Sequence, residues 1–347
     1  MKTDKSAAGI ALRDTGVTRE AECGITDAGA AEVREMAGLL RDWPLHPYSA
    51  YASDFEDAAY SEFRDWRARK ISGGVHSRTI VARSSGSIVA SACWSFLPWD
   101  TEQLAVSCAR FEWLASEGPY ALARRRKTAL AGAVIGRCQA DGIHYLTARI
   151  HAGDLSSIHA LEEKGFELID GIQTFSIQLD SAGGWPAAGA YRIRLYEPRD
   201  LGRILAIARS SYVFDRFHMD ASLPREAADS VNERWVENAC LGTAADAVVV
   251  ALDGEVPVGY VTCTVDKEAG ERLGILFGTV GMVATDPMLR GRGVARAATY
   301  GALGWFASQG VRVVEVGTQI ANIPAGRLYE ECEFRLVANS LTFRKTL

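Results

Sequence analysis

Two stretches of this chain that lie 168 residues apart carry matching residues. Residues 166–175 and 334–343 share Phe, Leu, Thr and Phe at equivalent places, and the same ungapped offset puts Asp154 opposite Asn322. Further equivalent pairs on this offset are Glu162 with Glu330 and Glu163 with Glu331. A single offset that joins several features is typical of a duplicated domain. The 347 residues therefore predict two similar domains of ordinary length.

A segment near the middle of the chain, residues 181–190, has the composition of a linker between domains. It is rich in Gly and Ala and contains a Pro, and these residues favour turns over regular structure. Residues 1–20 are small and polar, which predicts a flexible N-terminus. The expected organisation is a flexible segment over 1–20, a first domain over 21–180, the linker over 181–190 and a second domain over 191–347.

Hydrophobic patterning in the second half alternates between strand-like and helix-like segments. The pair Asp253-Gly254 predicts a tight turn between two strands, and Gly310 predicts the end of a helix. The predicted segments are helices over 199–210 and 225–240, strands over 247–252, 256–265 and 276–284, a helix over 293–309, a strand over 311–316, a helix over 324–331 and a strand over 337–343. This order predicts an α+β fold in which each of two tandem domains has a mixed, mostly antiparallel sheet flanked by helices.

The charge balance argues against nucleic acid or a membrane as the main partner. The formal net charge is −5 and the isoelectric point is about 5.8, whereas both of those partners require a basic surface. No long apolar run is present and the N-terminus leads into no apolar segment, so neither a membrane span nor a signal peptide is predicted. Seven scattered cysteines without metal-ligand spacing predict reduced thiols, no metal site and a cytoplasmic location.

The segment Arg290–Ala295 joins a predicted strand to a predicted helix and has the features of a phosphate-binding loop. A helix N-terminus presents unpaired backbone N–H groups and the positive end of the helix dipole. Small residues at 291, 293 and 295 allow a pyrophosphate to approach those donors closely. Arginines at 290, 292 and 296 add positive charge. The predicted site therefore consists of Arg290, Gly291, Arg292, Gly293, Val294 and Ala295.

Two other phosphate-binding motifs do not fit this loop. A dinucleotide-binding loop needs a third glycine at the place of Arg296, and a P-loop needs Gly-Lys-Ser/Thr, which is absent. A simpler alternative is a tight turn followed by a solvated helix face, which needs no ligand. The order of strand, turn, loop and helix around Arg290–Ala295 favours the phosphate site.

Residues 282–295 and 322–334 together resemble the two motifs of the GNAT superfamily of N-acetyltransferases. The first contains the superfamily's Arg/Gln-x-x-Gly-x-Gly/Ala core, and the second contains Asn322 and Tyr329 at matching places. One departure is Glu333, where a glycine is usual, so the turn after the second motif is expected to differ. The resemblance covers about 191–347 and, more weakly, 20–180. It implies two tandem GNAT-like domains, with acetyl-CoA or another acyl-CoA as the cofactor and a primary amine as the acceptor.

The resemblance also implies roles for individual residues. Backbone N–H groups near Met282, Val283 and Ala284 would hold the thioester carbonyl, and Asn322 would contact the pantetheine arm of the coenzyme. Tyr329 would protonate the departing thiolate, because a phenol with a pKa near 10 is still protonated at neutral pH. The alternative for Tyr329 is a partly buried aromatic residue on an amphipathic helix.

No motif identifies the group that takes a proton from the acceptor amine. His218 is the catalytic candidate, although a lone histidine is more often structural. Glu237 and Asp215 are alternatives, and a proton relay through water is another.

The first half does not keep the features of the loop. At the same offset, residues 122–127 contain no glycine, Leu161 replaces Tyr329 and Asp154 replaces Asn322. Side chains at 122–127 would crowd a pyrophosphate, so one coenzyme per chain is expected. The basic run within this segment is interpreted as a solvated helix face. This half is expected to be a degenerate copy that supports the active half or walls the acceptor site.

Three short segments of the second half resemble the TDP-fucosamine acetyltransferase group, which acetylates the amine of a nucleotide-linked amino sugar. They are residues 216–218, 235–243 and 318–322. An arginine would contact a diphosphate and aromatic rings would contact a sugar or base. The implied acceptor-binding residues are Arg216, Phe217, Trp235, Thr318 and Gln319. The alternative is that the two aromatic residues belong to the core and that Arg216 lies on the surface.

Two further function classes remain open from the residues alone. One is an acyltransferase for a different amine, such as an amino acid, an antibiotic or a peptide terminus. The other is a non-catalytic regulatory protein that binds acyl-CoA, which the presence of Tyr329 beside the loop disfavours. The expected partner is a small-molecule amine, and an oligomer is compatible with the sequence.

Overall fold

The computed structural model describes residues 24–41, 43–179, 190–212, 214–223 and 225–347. The segment over 1–20 that was expected to be flexible and nearly all of the expected linker lie outside these ranges. Residues 24–179 are called the N-terminal half below, and residues 190–347 the C-terminal half.

The N-terminal half contains six strands and six α-helices within the described residues. The strands are β1 (Gly24–Asp27), β2 (Ser77–Ser84), β3 (Ser87–Phe96), β4 (Cys108–Ser116), β5 (Tyr145–His151) and β6 (Glu167–Gln178). The helices are α1 (Ala30–Glu35), α2 (Ala37–Arg41), α3 (Asp57–Ser72), α4 (Pro98–Leu104), α5 (Tyr120–Ala140) and α6 (Leu155–Glu163).

The described part of the C-terminal half repeats this order. Its strands are β7 (Arg192–Leu195), β8 (Ala247–Asp253), β9 (Val256–Asp266), β10 (Leu276–Thr285), β11 (Val311–Gln319) and β12 (Arg335–Thr346). Its helices are α7 (Leu201–Ser211), α8 (Arg216–Met219), α9 (Arg225–Cys240), α10 (Lys267–Leu273), α11 (Val294–Ser308) and α12 (Ile323–Glu331). Each segment predicted from the sequence of this half is confirmed, with ends that differ by a few residues. Strand β7 and helices α8 and α10 were not predicted.

All twelve strands form one continuous sheet, in the order β1-β2-β3-β4-β5-β12-β6-β11-β10-β9-β8-β7. The last strand of each half therefore pairs with the penultimate strand of the other half: β12 with β5, and β6 with β11. The two exchanged strands also pair with each other along the middle of the sheet. The α+β prediction with two tandem units is confirmed. The exchange of strands between the units was not predicted.

Helices cover both faces of the sheet, and some of them cover the opposite half. On one face, α5 and α6 pack on the N-terminal half and α11 and α12 on the C-terminal half. On the other face, α3 packs against Phe277 and Val313 of the C-terminal half. In turn, α8 and α9 pack against Cys108 and Tyr145 of the N-terminal half. The two halves thus share their cores as well as their sheet.

Candidate active site

Strands β10 and β11 separate from each other halfway along their length. They pair in parallel from Leu276 and Val311 as far as Val280 and Val316. Beyond that point β10 stays with β9, through an irregularity between Val280 and Val283, while β11 stays with β6. The edge of β10 that faces β11 therefore has no strand partner over residues 281–285 within the described ranges. Backbone N–H and C=O groups on such an edge can bind a ligand.

The loop that was predicted to bind phosphate follows β10 and leads into α11. Gly291 and Gly293 have φ angles of 74° and 82°, in the left-handed region that favours glycine. Gly293 is the N-cap of α11, and no side chain of the described residues caps this end of the helix. The first N–H groups of this 15-residue helix are thus available to an anion. The conformation fits the predicted phosphate cradle.

A cavity of 690 Å³ opens between the separated strands, the loop and the N-terminal ends of α11 and α12. Most of the predicted coenzyme-binding residues line it, namely Met282, Val283, Ala284, Arg290, Gly291, Gly293, Val294, Ala295 and Asn322. The side chain of Asn322 also caps α12, because its Oδ1 accepts a hydrogen bond from Ala325 N at 3.3 Å. Arg292 is not among the lining residues, and its carbonyl oxygen accepts a hydrogen bond from the Tyr191 hydroxyl.

Tyr329 lies on α12 with 4% of its surface exposed, and it lines this cavity. Its ring packs between Phe334 and Phe175, each with ring centroids 5.8 Å away. Phe175 belongs to β6, so the N-terminal half positions the candidate acid of the C-terminal half. Burial, followed by the nearby Cys332, raises the pKa of Tyr329 above its usual range. The phenol is therefore protonated throughout the neutral pH range.

His218 lies outside the cavity, with 1% of its side chain exposed. Its Nδ1 lies 2.6 Å from Oδ2 of Asp215, and the same oxygen accepts a hydrogen bond from Asn232 at 2.8 Å. Asp215 and Asn232 line the cavity, whereas Glu237, another candidate base, does not. Of the candidate bases, Asp215 is thus the one that reaches the cavity, with His218 behind it.

The predicted acceptor-binding residues fall into two groups. Trp235, Thr318 and Gln319 line the cavity, and Trp235 stacks on Trp99 of the N-terminal half with ring centroids 5.5 Å apart. Arg216 and Phe217 do not line it. Phe217 is 3% exposed, while Arg216 lies over the Phe217 ring and forms a 2.9 Å ion pair with Asp100. These two residues therefore occupy structural positions at the junction of the halves.

Several cavity residues were missed in the sequence, among them four polar or aromatic ones. Ser211 ends α7, and Tyr212 and Phe214 lie between α7 and α8. A 3.0 Å hydrogen bond joins the hydroxyl of Tyr212 to the buried hydroxyl of Tyr260. Asn232 lies on α9 and bonds to Asp215. No periodic signal distinguishes these residues from core residues, because they lie where a helix ends or on a helix that faces both the core and the cavity.

The turn after α12 was expected to differ because Glu333 replaces a usual glycine, and this expectation is wrong. Glu333 has a φ of 67°, close to the 75° of its repeat equivalent Gly165. Both residues donate a backbone hydrogen bond three residues back along the helix, to Glu330 and Glu162 respectively. The glycine-like turn is therefore kept by a residue for which this conformation costs free energy.

In the N-terminal half, the place of the cofactor loop is filled by protein. Lys127, the repeat equivalent of Ala295, is 5% exposed, and its Nζ lies 2.9 Å from both carboxylate oxygens of Asp154. Arg126 is 7% exposed. The interpretation of this basic run as a solvated helix face is therefore wrong for these two residues. A buried ion pair now occupies the region that is open between Ala295 and Asn322 in the other half.

The residues of the C-terminal cavity fit a coenzyme that carries a pyrophosphate and a thioester. The uncapped N-terminus of α11 and its two left-handed glycines suit the pyrophosphate, and the unpaired edge of β10 suits an extended arm with amide groups. Among the described residues, no group of three or more His, Cys, Asp or Glu side chains could hold a metal ion. None of the described helices is long and apolar enough to cross a membrane.

A split sheet, an uncapped helix and a tyrosine thus meet in one cavity. Residues 211–334 match the model of the acetyltransferase (GNAT) family. The C-terminal half therefore contains an acetyltransferase domain of the GNAT family.

Two curated proteins resemble parts of the chain. The spore coat polysaccharide biosynthesis protein SpsD of Bacillus subtilis is 25% identical over 56% of this chain and 64% of its own length. The dTDP-fucosamine acetyltransferase of Escherichia coli is 25% identical over 52% of this chain and 73% of its own length. The chain thus spans only part of each relative.

A solved structure resembles nearly the whole chain. A tandem GNAT protein from the clavulanic acid biosynthesis pathway superposes with a TM-score of 0.57 and 14% identity, over 94% of this chain and 98% of the other. Because only 14% of the residues are identical, this similarity shows a common fold and no more. It supports a fold of two tandem units.

Proposed function

We propose that this chain is an acetyl-CoA-dependent N-acetyltransferase with one active site, in its C-terminal half, and that its acceptor is the amine of a nucleotide-linked amino sugar. The observation that carries the proposal is the meeting of three features in one cavity. These are the unpaired edge of β10, the uncapped N-terminus of α11 and the hydroxyl-bearing ring of Tyr329.

Each feature supplies one requirement of acyl transfer to an amine. Bound acetyl-CoA supplies the activated acyl group as a thioester. Backbone N–H groups on the unpaired edge of β10, near Val283 and Ala284, stabilise the negative charge that develops on the carbonyl oxygen. The N–H of Met282 does not contribute, because it donates to Thr262 Oγ1 at 2.8 Å. Tyr329 gives its phenolic proton to the leaving sulfur and is protonated beforehand because burial raises its pKa. The arginines at 290 and 296 reinforce phosphate binding at the cavity mouth.

Asp215 is the carboxylate that we assign to the acceptor amine. It lines the cavity and is held by Asn232 and by the backbone N–H groups of Phe217 and His218. A carboxylate in this position attracts an ammonium group and can pass its proton to water or to His218. His218 then acts through Asp215, since its own ring lies outside the cavity.

The choice of an amino sugar is supported by the relatives and by the cavity wall. One relative bears the name of a dTDP-fucosamine acetyltransferase and the other that of a polysaccharide biosynthesis protein. In this chain, the Trp235 ring offers an apolar face to a sugar or base, and Thr318 and Gln319 offer hydrogen-bonding groups beside it.

Incubation of the full chain with acetyl-CoA and a panel of amines, with detection of free thiol, tests this proposal. The panel contains nucleotide-linked amino sugars, free amino sugars, amino acids and peptides. Thiol release that depends on a nucleotide-linked amino sugar supports the proposal. Release with another amine would overturn the acceptor assignment, and coenzyme binding without release for any amine would favour a regulatory protein.

A further inference from the structure

Three polar side chains lie side by side on the sheet where the two halves meet. Thr342 on β12 pairs with Arg149 on β5 at one side and with Asp170 on β6 at the other. Residues directly opposite each other in antiparallel strands project from the same face. Arg149, Thr342 and Asp170, called the central row below, therefore share one face of the sheet.

Two buried polar atoms of the central row lack partners within the described part of the chain. Oγ1 of Thr342 and Oδ2 of Asp170 form no hydrogen bond there, although Oδ1 of Asp170 accepts one from Gly171 N at 2.7 Å. The side chain of Arg149 is exposed beside them and forms no hydrogen bond or ion pair with a described residue. Buried polar groups are nearly always hydrogen-bonded, so two unsatisfied atoms beside an exposed arginine indicate a place for a polar ligand.

Positive charge predominates around Arg149. Neighbouring atoms reduce the solvation of its guanidinium, and this effect, followed by the nearby Arg216 and Arg110, lowers the pKa of Arg149 to about 10. Asp170 counteracts this lowering. Arg216 is paired with Asp100 and Arg110 with Glu112, whereas Arg149 forms no ion pair with a described residue. The Arg149 side chain is exposed, so an anionic group can reach it and would be attracted to it.

The central row adjoins the active-site cavity. Asp215, which lines the cavity, acts on Asp170 electrostatically: burial raises the pKa of Asp170 to about 6, and Asp215 adds to the rise. Arg149 is also the repeat equivalent of Gly317, which lines the cavity in the C-terminal half. Arg149 therefore occupies, in the N-terminal half, the place that a wall residue of the active-site cavity occupies in the C-terminal half.

We infer that Arg149, Thr342 and Asp170 bind the anionic, non-reacting part of the acceptor while its amine extends towards Asp215. This inference rests on the proposed function. Arg149 would hold a phosphate or carboxylate through two parallel hydrogen bonds. The Thr342 hydroxyl would donate to the same anion, and Asp170 would accept from a neighbouring hydroxyl of the acceptor.

This assignment gives the inactive half a role in recognition. Arg216, the arginine that sequence resemblance points to for a diphosphate, is committed to Asp100 and lies outside the cavity. Arg149 takes that role instead. Because β5 and β6 come from one half and β12 from the other, the site exists only when the two halves exchange their strands.

The inference is tested by substitution of Arg149 and comparison of matched acceptors. In Arg149→Gln, the KM for an anionic amine should rise by about tenfold or more, since a hydrogen-bonded charged contact is lost. The KM for acetyl-CoA, and that for an uncharged amine of the same skeleton, should stay unchanged. Two pairs of acceptors are compared. A nucleotide-linked amino sugar and the free amino sugar differ in the phosphate groups, and an amino acid and its amide differ in the carboxylate.

Arg312→Gln is the matched control, because Arg312 is an exposed arginine on β11 whose side chain has no role in either site. Arg149→Lys should restore part of the lost affinity, since it keeps the charge but not the paired geometry. Equal losses for the charged and uncharged members of both pairs in Arg149→Gln would overturn the inference.

Calorimetry with thymidine diphosphate and with glutamate as probes separates this inference from the proposed function, since neither probe requires acetyl transfer. Binding of one probe to the native chain that is lost in Arg149→Gln supports the anion site, even if no amine is acetylated. Failure of both probes to bind the native chain, or undiminished binding in Arg149→Gln, would refute it.

Discussion

Ile172 and Ser340 pair directly with each other across β6 and β12, although they are equivalent residues of the two repeats. A residue that pairs with its own equivalent lies beside the pseudo-twofold axis that relates the repeats. The register around this pair is symmetric, since Asp170 pairs with Thr342 and the equivalent Ala338 pairs with Thr174. The duplicated halves thus join as a symmetric pair whose central strands are exchanged. Of the two equivalent places, one is filled by Lys127 and Asp154 and the other is open.

Replacement of Tyr329 by Phe should lower kcat by at least about tenfold, because the group that protonates the leaving sulfur is removed. Affinity for the coenzyme should stay nearly intact, since the ring still packs between Phe175 and Phe334. Steady-state kinetics and calorimetry measure the two quantities. Tyr120→Phe, at an exposed tyrosine of the N-terminal half, is the control. An unchanged kcat in Tyr329→Phe would remove this residue from the mechanism.

Replacement of Gly293 by Val should abolish coenzyme binding. The added side chain projects beside the N-terminus of α11, where the pyrophosphate approaches the backbone N–H groups. Gly310→Val is a matched control at the other end of the same helix, because both glycines have positive φ angles and both substitutions cause similar backbone strain. Calorimetric titration should show binding in Gly310→Val alone. Normal binding in Gly293→Val would refute the loop assignment.

Replacement of Glu333 by Gly should stabilise the protein by about 1 kcal/mol, because the left-handed conformation costs an L-residue free energy that glycine avoids. The converse change, Gly165→Glu, should destabilise the equivalent turn of the N-terminal half by a similar amount. Chemical denaturation monitors both variants. A decrease in stability for Glu333→Gly would mean that the Glu333 side chain makes a contribution larger than the backbone strain.

Replacement of Glu315 by Gln should stabilise the protein at pH 8 but not at pH 4. Burial raises the pKa of Glu315 to about 7 from an ordinary value of 4.5, so the folded state binds the proton more tightly than the unfolded state. The contribution of Glu315 to stability is therefore complete below pH 4.5 and is lost as the pH rises through about 7. The gain at pH 8 should be on the order of 2 kcal/mol.

Denaturation of the native chain and of Glu315→Gln at both pH values measures this difference. Glu271→Gln, at an exposed carboxylate on α10, provides the control and should show no such dependence on pH. If Glu315→Gln changed the free energy of unfolding by the same amount at pH 4 and pH 8, the raised pKa of Glu315 would be contradicted.

Local features of the fold could be predicted from the sequence, and the pairing of the two halves could not. Turn residues such as Gly254 and Gly310 and the alternation of apolar residues are sufficient to locate strands and helices. The exchange of β6 and β12 is not encoded in such patterns, because the two strands are repeat equivalents and either can satisfy the same neighbour.

The coenzyme side of the site could likewise be predicted, since Gly293, Tyr329 and their neighbours form continuous motifs. The acceptor side could not, because it is assembled from both halves. The sequence does not distinguish the surroundings of Arg149 from those of Lys127, since both are basic residues. Only the fold shows that Lys127 is buried in an ion pair with Asp154, while Arg149 is exposed and forms no ion pair with a described residue.

We expect the chain to transfer an acetyl group to an amine at one site per chain. Mass spectrometry of the acceptor, after reaction with acetyl-CoA, measures this transfer directly and should show the gain of one acetyl group on the amine of a nucleotide-linked amino sugar. Calorimetry on the same sample should give one bound coenzyme per chain. If the chain is saturated with acetyl-CoA and no amine of the panel gains an acetyl group, the proposed acetyl transfer is contradicted.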